Sequence, residues 1–200
     1  MEKTVEFIFD VVSPTVYIAY RRLPEIIERT GATIIWSPVF LGGVMNASGN
    51  KPPGTVAAKG RYMNRDMERC AERYKIEFSL NKHFPVNTLS LQRIAVGLNN
   101  NDEHEEFLKF IDVCFKAIWV DGKNMGDTDI SSDVLADAGF ETGTLMNLAN
   151  DSTIKEKLKS LTNNAVQRGV FGAPTFFVDR EMYFGQDRLD YVEIALSRQQ

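Results

Sequence analysis

Apolar and polar residues follow two different spacings at the start of the chain. Residues 3–9 alternate in part and are rich in residues that favour strands, so they predict an opening strand. Residues 14–29 place apolar side chains three and four positions apart, which predicts a helix, and residues 32–39 predict a second strand. A strand, a helix and a strand of these lengths indicate a right-handed crossover between parallel strands.

The rest of the chain is predominantly helical before it returns to strands. Residues 42–53 are rich in glycine, asparagine and proline, which predicts a loop. Helical periodicity then predicts six helices, over 55–75, 88–99, 103–119, 129–138, 142–149 and 152–168. Two short apolar runs, 176–178 and 182–184, predict a β-hairpin, and residues 188–197 predict a last helix.

This order of elements predicts an α/β fold of the thioredoxin type. Removing the central helices leaves βαβ followed by αββα, the thioredoxin arrangement of a mixed sheet with helices on both faces. We therefore predict a thioredoxin-like domain formed by residues 1–42 and 152–200. Residues 43–151 are predicted to be a large all-helical insertion in that domain.

Composition narrows the class of protein. The chain has 200 residues, 44% of them hydrophobic, a formal net charge of −4 and a sequence pI of about 5.3. These values predict no nucleic-acid partner, and no apolar run approaches the roughly 20 residues of a membrane span. The two cysteines, Cys70 and Cys114, fall on apolar sides of predicted helices, which indicates free thiols in a reducing compartment. With a strand so close to the amino terminus, we expect no signal peptide and a cytoplasmic location.

The residue that indicates chemistry most directly is Ser13. It follows the first predicted strand and is a good N-cap, and Pro14 suits the first helical position. Its hydroxyl is therefore predicted to lie among unpaired N–H groups at the positive end of a helix dipole. Thioredoxin-like proteins carry a reactive Cys-x-x-Cys pair at this corner, whereas here Asp10 and Ser13 occupy those positions. A site that stabilises a thiolate without its own thiol suggests that the thiol arrives with a ligand.

Two later segments are candidates for the same site, each with an ordinary alternative. Pro174 precedes the predicted hairpin, where a cis Ala173–Pro174 bond is favoured over a trans proline that merely opens a strand. Asp187 is a candidate N-cap of the last helix, where free N–H groups can also hold a ligand carboxylate. These N–H groups and the Asp187 carboxylate, which could pair with an α-ammonium, together could hold the γ-glutamyl end of glutathione, and a simple helix cap is the alternative.

Other residues carry weaker signals. The Pro52-Pro53 loop can direct Asn50 and Lys59 inward, where Lys59 would meet a ligand carboxylate, although a solvated surface lysine is the alternative. His83 and His104 stand alone in polar sequence and are predicted to be surface residues. Five large aromatic residues are predicted to be core: Trp36, Phe107, Phe110, Phe115 and Trp119. No clustered metal ligands are evident, so no metal site is predicted.

Several motifs occur in an order that resembles a known family. They are Phe9-Asp10-Val11-Val12-Ser13-Pro14, Gly49-Asn50-Lys51-Pro52-Pro53, Lys59-Gly60, Phe84-Pro85-Val86-Asn87, Phe171-Gly172-Ala173-Pro174-Thr175 and Phe184-Gly185-Gln186-Asp187-Arg188-Leu189. Across essentially its full length, the chain resembles the 2-hydroxychromene-2-carboxylate isomerase and kappa-class glutathione transferase family. That family is related to the DsbA-type oxidoreductases of the thioredoxin superfamily.

The resemblance implies a homodimer that binds glutathione at the corner of the first helix. It implies that Ser13 activates the glutathione sulfur and that Ala173, before the cis-proline Pro174, pairs with the cysteinyl backbone. The remaining positions that it implies for glutathione are Asn50, Lys59, Gln186 and Asp187.

The resemblance also implies a pocket for a second substrate, a small aromatic electrophile. It places Asn87 near this pocket. Met45 and Thr88 stand where the naphthalene-pathway isomerase has a lysine and a tyrosine in that pocket. The Asn-Lys-Pro-Pro segment and Lys59 are closer to the kappa-class pattern.

We therefore expect a glutathione-dependent 2-hydroxychromene-2-carboxylate isomerase-type enzyme. A kappa-class glutathione transferase or peroxidase that acts on another electrophile is the first alternative. A non-catalytic thioredoxin-like binding module is the second. A dithiol oxidoreductase is disfavoured because positions 10 and 13 lack cysteine.

Overall fold

A four-stranded mixed sheet organises the fold. The computed structural model describes residues 3–99 and 104–198. The strands are β1 (Thr4–Phe9), β2 (Thr33–Pro38), β3 (Thr175–Val178) and β4 (Glu181–Phe184), in the order β2-β1-β3-β4. β1 is parallel to β2 and antiparallel to β3, and β3 is antiparallel to β4. The predicted parallel pairing of the first two strands and the predicted hairpin are confirmed.

Nine α-helices surround this sheet in the described part of the chain. They are α1 (Pro14–Thr30), α2 (Leu41–Ser48), α3 (Ala57–Tyr74), α4 (Leu89–Leu98), α5 (His104–Trp119), α6 (Thr128–Asp137), α7 (Thr142–Asn150), α8 (Ser152–Gln167) and α9 (Leu189–Arg198). Two 3-10 turns lie at Pro53–Thr55 and Gln186–Arg188. The helix predicted over 103–119 is confirmed from His104, and residue 103 lies outside the described residues. The thioredoxin-type fold with additional helices is thus present.

The loop predicted over 42–53 is wrong in its first half, because α2 occupies it. Leu41 and Val44 are buried, so the segment has an apolar face to pack. A Cβ atom at Gly42 would lie 3.1 Å from the Phe40 ring, and one at Gly43 would lie 3.2 Å from Thr162 Cγ2 of α8. These glycines permit close packing of α2 and do not mark an irregular loop.

One large hydrophobic cluster connects the sheet to the helices. Phe7 stacks on Phe9 and Phe176 at centroid distances of 5.4 and 5.2 Å. The predicted core residues Phe107, Phe110, Phe115 and Trp119 are all buried, and Trp36 is half-buried against Phe7. Both histidines, His83 and His104, are exposed, as predicted.

The two cysteines are free thiols in different surroundings. Cys114 is fully buried in α5, and burial raises the pKa of its thiol. Cys70 is half-buried on α3, and desolvation raises the pKa of its thiol too. These shifts keep both thiols protonated at neutral pH.

Two further features concern membranes and metals. Within the described ranges, residues 3–99 and 104–198, no helix has both the length and the apolar character needed to cross a membrane. Within those same ranges, histidine, cysteine, aspartate and glutamate side chains form no group of three or more that could hold a metal ion.

Candidate active site

The turn between β1 and α1 places a serine hydroxyl at the start of a long helix. Ser13 N donates to the Asp10 carbonyl at 3.1 Å and closes the turn. Ser13 has an extended backbone, and its Oγ accepts from Val16 N at 3.4 Å, so Ser13 caps the helix as predicted. Pro14 occupies the first helical turn, where no N–H is needed. The Ser13 side chain therefore lies at the positive end of the α1 dipole.

The loop before β3 reaches the same corner. The Ala173–Pro174 peptide bond is cis, as predicted. The Ala173 carbonyl oxygen lies 3.3 Å from Ser13 Oγ, although these residues are 160 positions apart. Thr175 Oγ1 donates to the Gly172 carbonyl at 2.8 Å and fixes the loop. The structure thus brings Ser13 together with Ala173 and Pro174.

A second hydroxyl, which no motif had indicated, completes this corner. Thr15 Oγ1 lies 2.8 Å from Ser13 Oγ and 3.2 Å from the Ala173 carbonyl oxygen. Ser13 is 6% exposed, whereas Thr15 is half-buried and can be reached from solvent. Two hydroxyl groups and one carbonyl oxygen form a compact triangle. Its O–H groups can donate to an anionic atom such as a thiolate sulfur.

Asp10 is a fully buried carboxylate behind this corner. Its Oδ1 accepts from Val12 N at 3.1 Å and from Thr88 Oγ1 at 2.7 Å, and its Oδ2 accepts from Leu41 N at 2.9 Å. Burial raises the pKa of Asp10 to about 6, although these hydrogen bonds favour the ionised form. Asp10 therefore joins the turn before α1 to the starts of α2 and α4.

Two further side chains hold the corner from behind. Gln92 Nε2 donates to the carbonyls of Phe9 and Val39 at 3.0 and 2.8 Å. Trp119, predicted only as core, donates from Nε1 to the Val11 carbonyl at 2.9 Å. Gln92 was missed, and a glutamine on the apolar face of a predicted helix is the signal that would have indicated it.

The turn after the hairpin is attached to the cis-proline. Gly185 N donates to the Pro174 carbonyl at 3.0 Å, and Gly185 has a φ of +103°, which favours glycine. A Cβ at this position would also lie 2.5 Å from Asp187 Oδ1. The turn therefore holds Gln186 and Asp187 beside the loop that carries Ala173.

Gln186 contains a buried acceptor to which no described residue donates. The residue is 7% exposed, and its side-chain Nε2 donates to Cys70 Sγ at 3.5 Å. Its backbone carbonyl accepts from Arg22 Nη1 at 3.3 Å. Its Oε1 is buried without a hydrogen-bond partner among the described residues. A buried acceptor without a donor destabilises the folded protein, so Oε1 is suited to accept a hydrogen bond from a ligand group such as an ammonium. Cys70 adjoins a predicted site residue, which its position in the sequence did not indicate.

Asp187 does not cap α9, so that prediction is wrong. Asp187 lies within the 3-10 turn Gln186–Arg188, and α9 begins only at Leu189. Its Oδ2 lies 3.0 Å from Arg188 Nη1, and its side chain is 60% exposed. The backbone tightens into a 3-10 turn before the helix, and this leaves the carboxylate accessible to a cationic group.

Asn50 is at the corner, whereas Lys59 is not fixed to it. Asn50 Nδ2 donates to the Phe171 carbonyl at 2.8 Å, and its Oδ1 accepts from Lys51 N at 2.8 Å. Asn50 thereby ties the segment after α2 to the loop that leads to Ala173. Lys59 is exposed on α3.

The three residues predicted to contact a second substrate are in different surroundings. Met45 is half-buried on α2 against the main core. Asn87 is exposed beside a small cleft between α4, α6 and α7, and its Oδ1 accepts from Leu89 N at 3.1 Å. Thr88 is 1% exposed and its hydroxyl binds Asp10. Thr88 thus supports the corner from inside, while Met45 and Asn87 stay predicted substrate contacts.

Known proteins resemble this chain over nearly its full length. The family model of the DsbA-like thioredoxin domain matches residues 4–197. The 2-hydroxychromene-2-carboxylate isomerase of Sphingobium xenophagum is 30% identical over 98% of this chain and 99% of its own length. Glutathione S-transferase kappa 1 of Homo sapiens is 28% identical over 95% of this chain and 89% of its own length.

Solved structures agree with this relationship. A 2-hydroxychromene-2-carboxylate isomerase structure, 27% identical in sequence, superposes with a TM-score of 0.84 over 98% of this chain and 95% of its own. A probable DsbA oxidoreductase from Streptomyces coelicolor, 15% identical, shares the fold with a TM-score of 0.74 over 98% of this chain and 89% of its own. The chain therefore belongs to the DsbA-like thioredoxin-domain family, in which it is similar to 2-hydroxychromene-2-carboxylate isomerases and kappa-class glutathione transferases.

Proposed function

We propose that this protein is a glutathione-dependent enzyme that isomerises a small conjugated aromatic substrate of the 2-hydroxychromene-2-carboxylate type. The observation that carries the proposal is the triangle of Ser13 Oγ, Thr15 Oγ1 and the Ala173 carbonyl at the start of α1. The triangle can bind a thiolate, and Asp10 and Ser13 stand where a dithiol enzyme needs cysteines. The proposal includes a homodimer and a cytoplasmic location.

The described residues fit glutathione at three points. The Ala173 carbonyl can accept from the cysteinyl N–H of the tripeptide, which would place the thiol near Ser13. The unpartnered Gln186 Oε1 and the exposed Asp187 carboxylate both suit the γ-glutamyl ammonium. Asn50 holds the adjoining loop, and Lys59 offers a positive charge to a carboxylate at the other end.

The protein's own contribution is to lower the pKa of the thiol and to orient it. A free thiol has a pKa of about 8.5, and a helix N-terminus lowers such values to roughly 3.5–7.5. A Ser13 O–H that donates to sulfur adds to this effect, because it bonds best to the charged form. When bound, glutathione supplies the thiolate nucleophile that adds to a conjugated carbon and, in an isomerisation, leaves again.

Glutathione transfer to another electrophile is the second candidate. It shares the thiolate, and only the electrophile pocket distinguishes it from isomerisation. Two residues favour it, because the half-buried Met45 and the buried Thr88 offer no cation and no phenol to a chromene carboxylate. A non-catalytic module that binds a thiol peptide is the third candidate.

The direct test measures whether glutathione is needed and whether it is consumed. With substoichiometric glutathione, we expect continued conversion of 2-hydroxychromene-2-carboxylate to trans-o-hydroxybenzylidenepyruvate, followed by ultraviolet absorbance. The reaction should stop when glutathione is omitted. Stoichiometric loss of glutathione with other electrophiles, and no isomerisation, would indicate the transferase. Calorimetry that shows no glutathione binding would contradict both enzyme proposals.

Asp187→Asn tests the orientation of the tripeptide. If Asp187 pairs with the γ-glutamyl ammonium, this variant should bind glutathione about tenfold more weakly, the effect of one charge-assisted hydrogen bond. An analogue without the α-amino group should bind both proteins equally. Calorimetry with both ligands completes a double-mutant cycle.

Glu181→Gln is the matched control for this cycle. It removes an exposed carboxylate on β4 that accepts from the Tyr183 hydroxyl at 2.8 Å. Its glutathione affinity should equal that of the wild type. Zero coupling between Asp187 and the α-amino group would remove Asp187 from the binding site.

A further inference from the structure

Three oxygen atoms at the corner share only two hydroxyl protons. Ser13 Oγ, Thr15 Oγ1 and the Ala173 carbonyl oxygen lie within 2.8 to 3.3 Å of one another. The carbonyl can only accept, whereas each hydroxyl donates one hydrogen bond and also accepts. Either Ser13 or Thr15 can be the donor between the two hydroxyls, so two arrangements of the protons satisfy the same geometry.

The arrangements differ in where the Ser13 proton points. In the first, Ser13 donates to Thr15, and Thr15 donates to the Ala173 carbonyl. In the second, Thr15 donates to Ser13 Oγ, and the Ser13 proton is free to be directed at the carbonyl or at a ligand atom. Of the two, only the second leaves the Ser13 O–H free for a sulfur atom, and Thr15 then donates to the Ser13 oxygen alongside Val16 N.

Ligand binding selects between these arrangements through the Ala173 carbonyl. On the proposed function, a backbone N–H of the tripeptide donates to this carbonyl. This N–H occupies one of the two acceptor positions of the carbonyl that the two hydroxyls otherwise share, so the Thr15 proton can turn to Ser13 Oγ at 2.8 Å. Donation to Ser13 Oγ polarises its O–H, because consecutive hydrogen bonds strengthen one another.

We propose that Thr15 is a positioning residue, whose hydroxyl donates to Ser13 Oγ in the glutathione complex and directs the Ser13 O–H at the thiolate. This inference rests on the proposed function and adds a residue to it. Thr15 is suited to the role because it is held on α1 two positions after Ser13. Val16 N already donates to Ser13 Oγ at 3.4 Å, so a second donor from Thr15 completes the acceptor capacity of that oxygen.

The test measures the pKa of the bound thiol in Thr15→Val, which keeps the branched shape and loses the hydroxyl. Thiolate absorbance is titrated against pH with and without glutathione, so that Cys70 and Cys114 cancel. We expect the pKa of the bound thiol to rise by about half to one unit, the effect of one hydrogen bond. Thr15→Ser should restore the wild-type value. The affinity for S-methylglutathione, which has no ionisable thiol, should be unchanged in both variants.

A double variant separates positioning from direct contact. If Thr15 acts through Ser13, adding Thr15→Val to Ser13→Ala should cause no further rise in the thiol pKa. An additive rise would mean that Thr15 donates to sulfur itself and would overturn the inference. Glutathione that binds Thr15→Val with a wild-type pKa, or Thr15→Ser that behaves like Thr15→Val, would overturn it as well. Absence of glutathione binding to the wild type would instead refute the proposed function, and the inference with it.

Discussion

Ser13→Ala is expected to lower glutathione-dependent turnover at neutral pH by about 10- to 100-fold, the effect of one hydrogen bond to a charged atom. Its hydroxyl is buried at the start of α1, where the oxygen accepts from Val16 N and the O–H can donate to a ligand sulfur, so its loss destabilises the thiolate more than the thiol. The pKa of bound glutathione should rise by about one to two units. Turnover should therefore recover in part at higher pH, where the thiol ionises even without the hydrogen bond from Ser13. Stopped-flow rates and thiolate absorbance across pH measure both effects.

The serine also caps a helix, so the variant needs a structural control. Loss of an N-cap costs about 1 kcal/mol of stability. Asp151→Ala removes the cap of α8, where Asp151 accepts from Ile154 N at 3.0 Å, and Asp151 belongs to no part of the corner. This control should lose similar stability in thermal unfolding and keep its activity. An unchanged thiol pKa in Ser13→Ala would contradict the role given to the serine.

Asp10→Ala is expected to lower the free energy of unfolding by about 3 kcal/mol or more. The change leaves Val12 N, Leu41 N and the Thr88 hydroxyl without their acceptor in a buried site. The same loss detaches the turn before Ser13 from α2 and α4. Urea unfolding measures the stability, and a variant as stable as the wild type would contradict this account. Thr88→Val, which removes only one donor, is the matched control and should cost less.

The ionisation of Asp10 makes stability depend on pH. Its pKa rises from 3.8 to about 6 on folding, because burial disfavours the charged form. The folded protein therefore binds this proton more tightly, and the resulting stability is present below about pH 4 and is lost as pH rises to about 6. The lost contribution is about 3 kcal/mol, and Asp10→Asn should abolish it. In urea unfolding at several pH values, the free energy of unfolding of the wild type relative to Asp10→Asn should fall as pH rises over this range. A difference that stays constant with pH would contradict this account.

Much of the fold follows from local patterns in the sequence. Period-two and helical spacings predicted all four strands, and eight of the nine described helices, within a few residues of their bounds. The exception is α2, where glycines suggested a loop. Gly42 and Gly43 instead fit close packing, because Phe40 and Thr162 lie 3.1 and 3.2 Å from where a Cβ would stand. That contact with α8 involves a residue far along the chain, so no local pattern could indicate it.

The features of the candidate site likewise divide into those that local sequence predicts and those that depend on contacts between distant residues. Ser13 as a cap and Pro14 at the helix start were predictable, because backbone chemistry over three or four residues decides both. The contact of Thr15 with Ala173, and the Cys70 thiol against Gln186, connect residues 158 and 116 positions apart. Asp187 was misassigned as a cap for the related reason that a 3-10 turn intervenes before α9.

The sequence by itself therefore determined the order of elements, the capped corner at Ser13 and the absence of its own thiol at positions 10 and 13. Only the tertiary structure decided which distant side chains share that corner, that Asp10 is buried beneath it, and that no donor within residues 3–99 and 104–198 reaches the buried Gln186 Oε1. The physical reason is one of range. Helices, strands and caps depend on neighbouring residues, whereas burial and hydrogen bonds between distant side chains depend on how all the elements pack together.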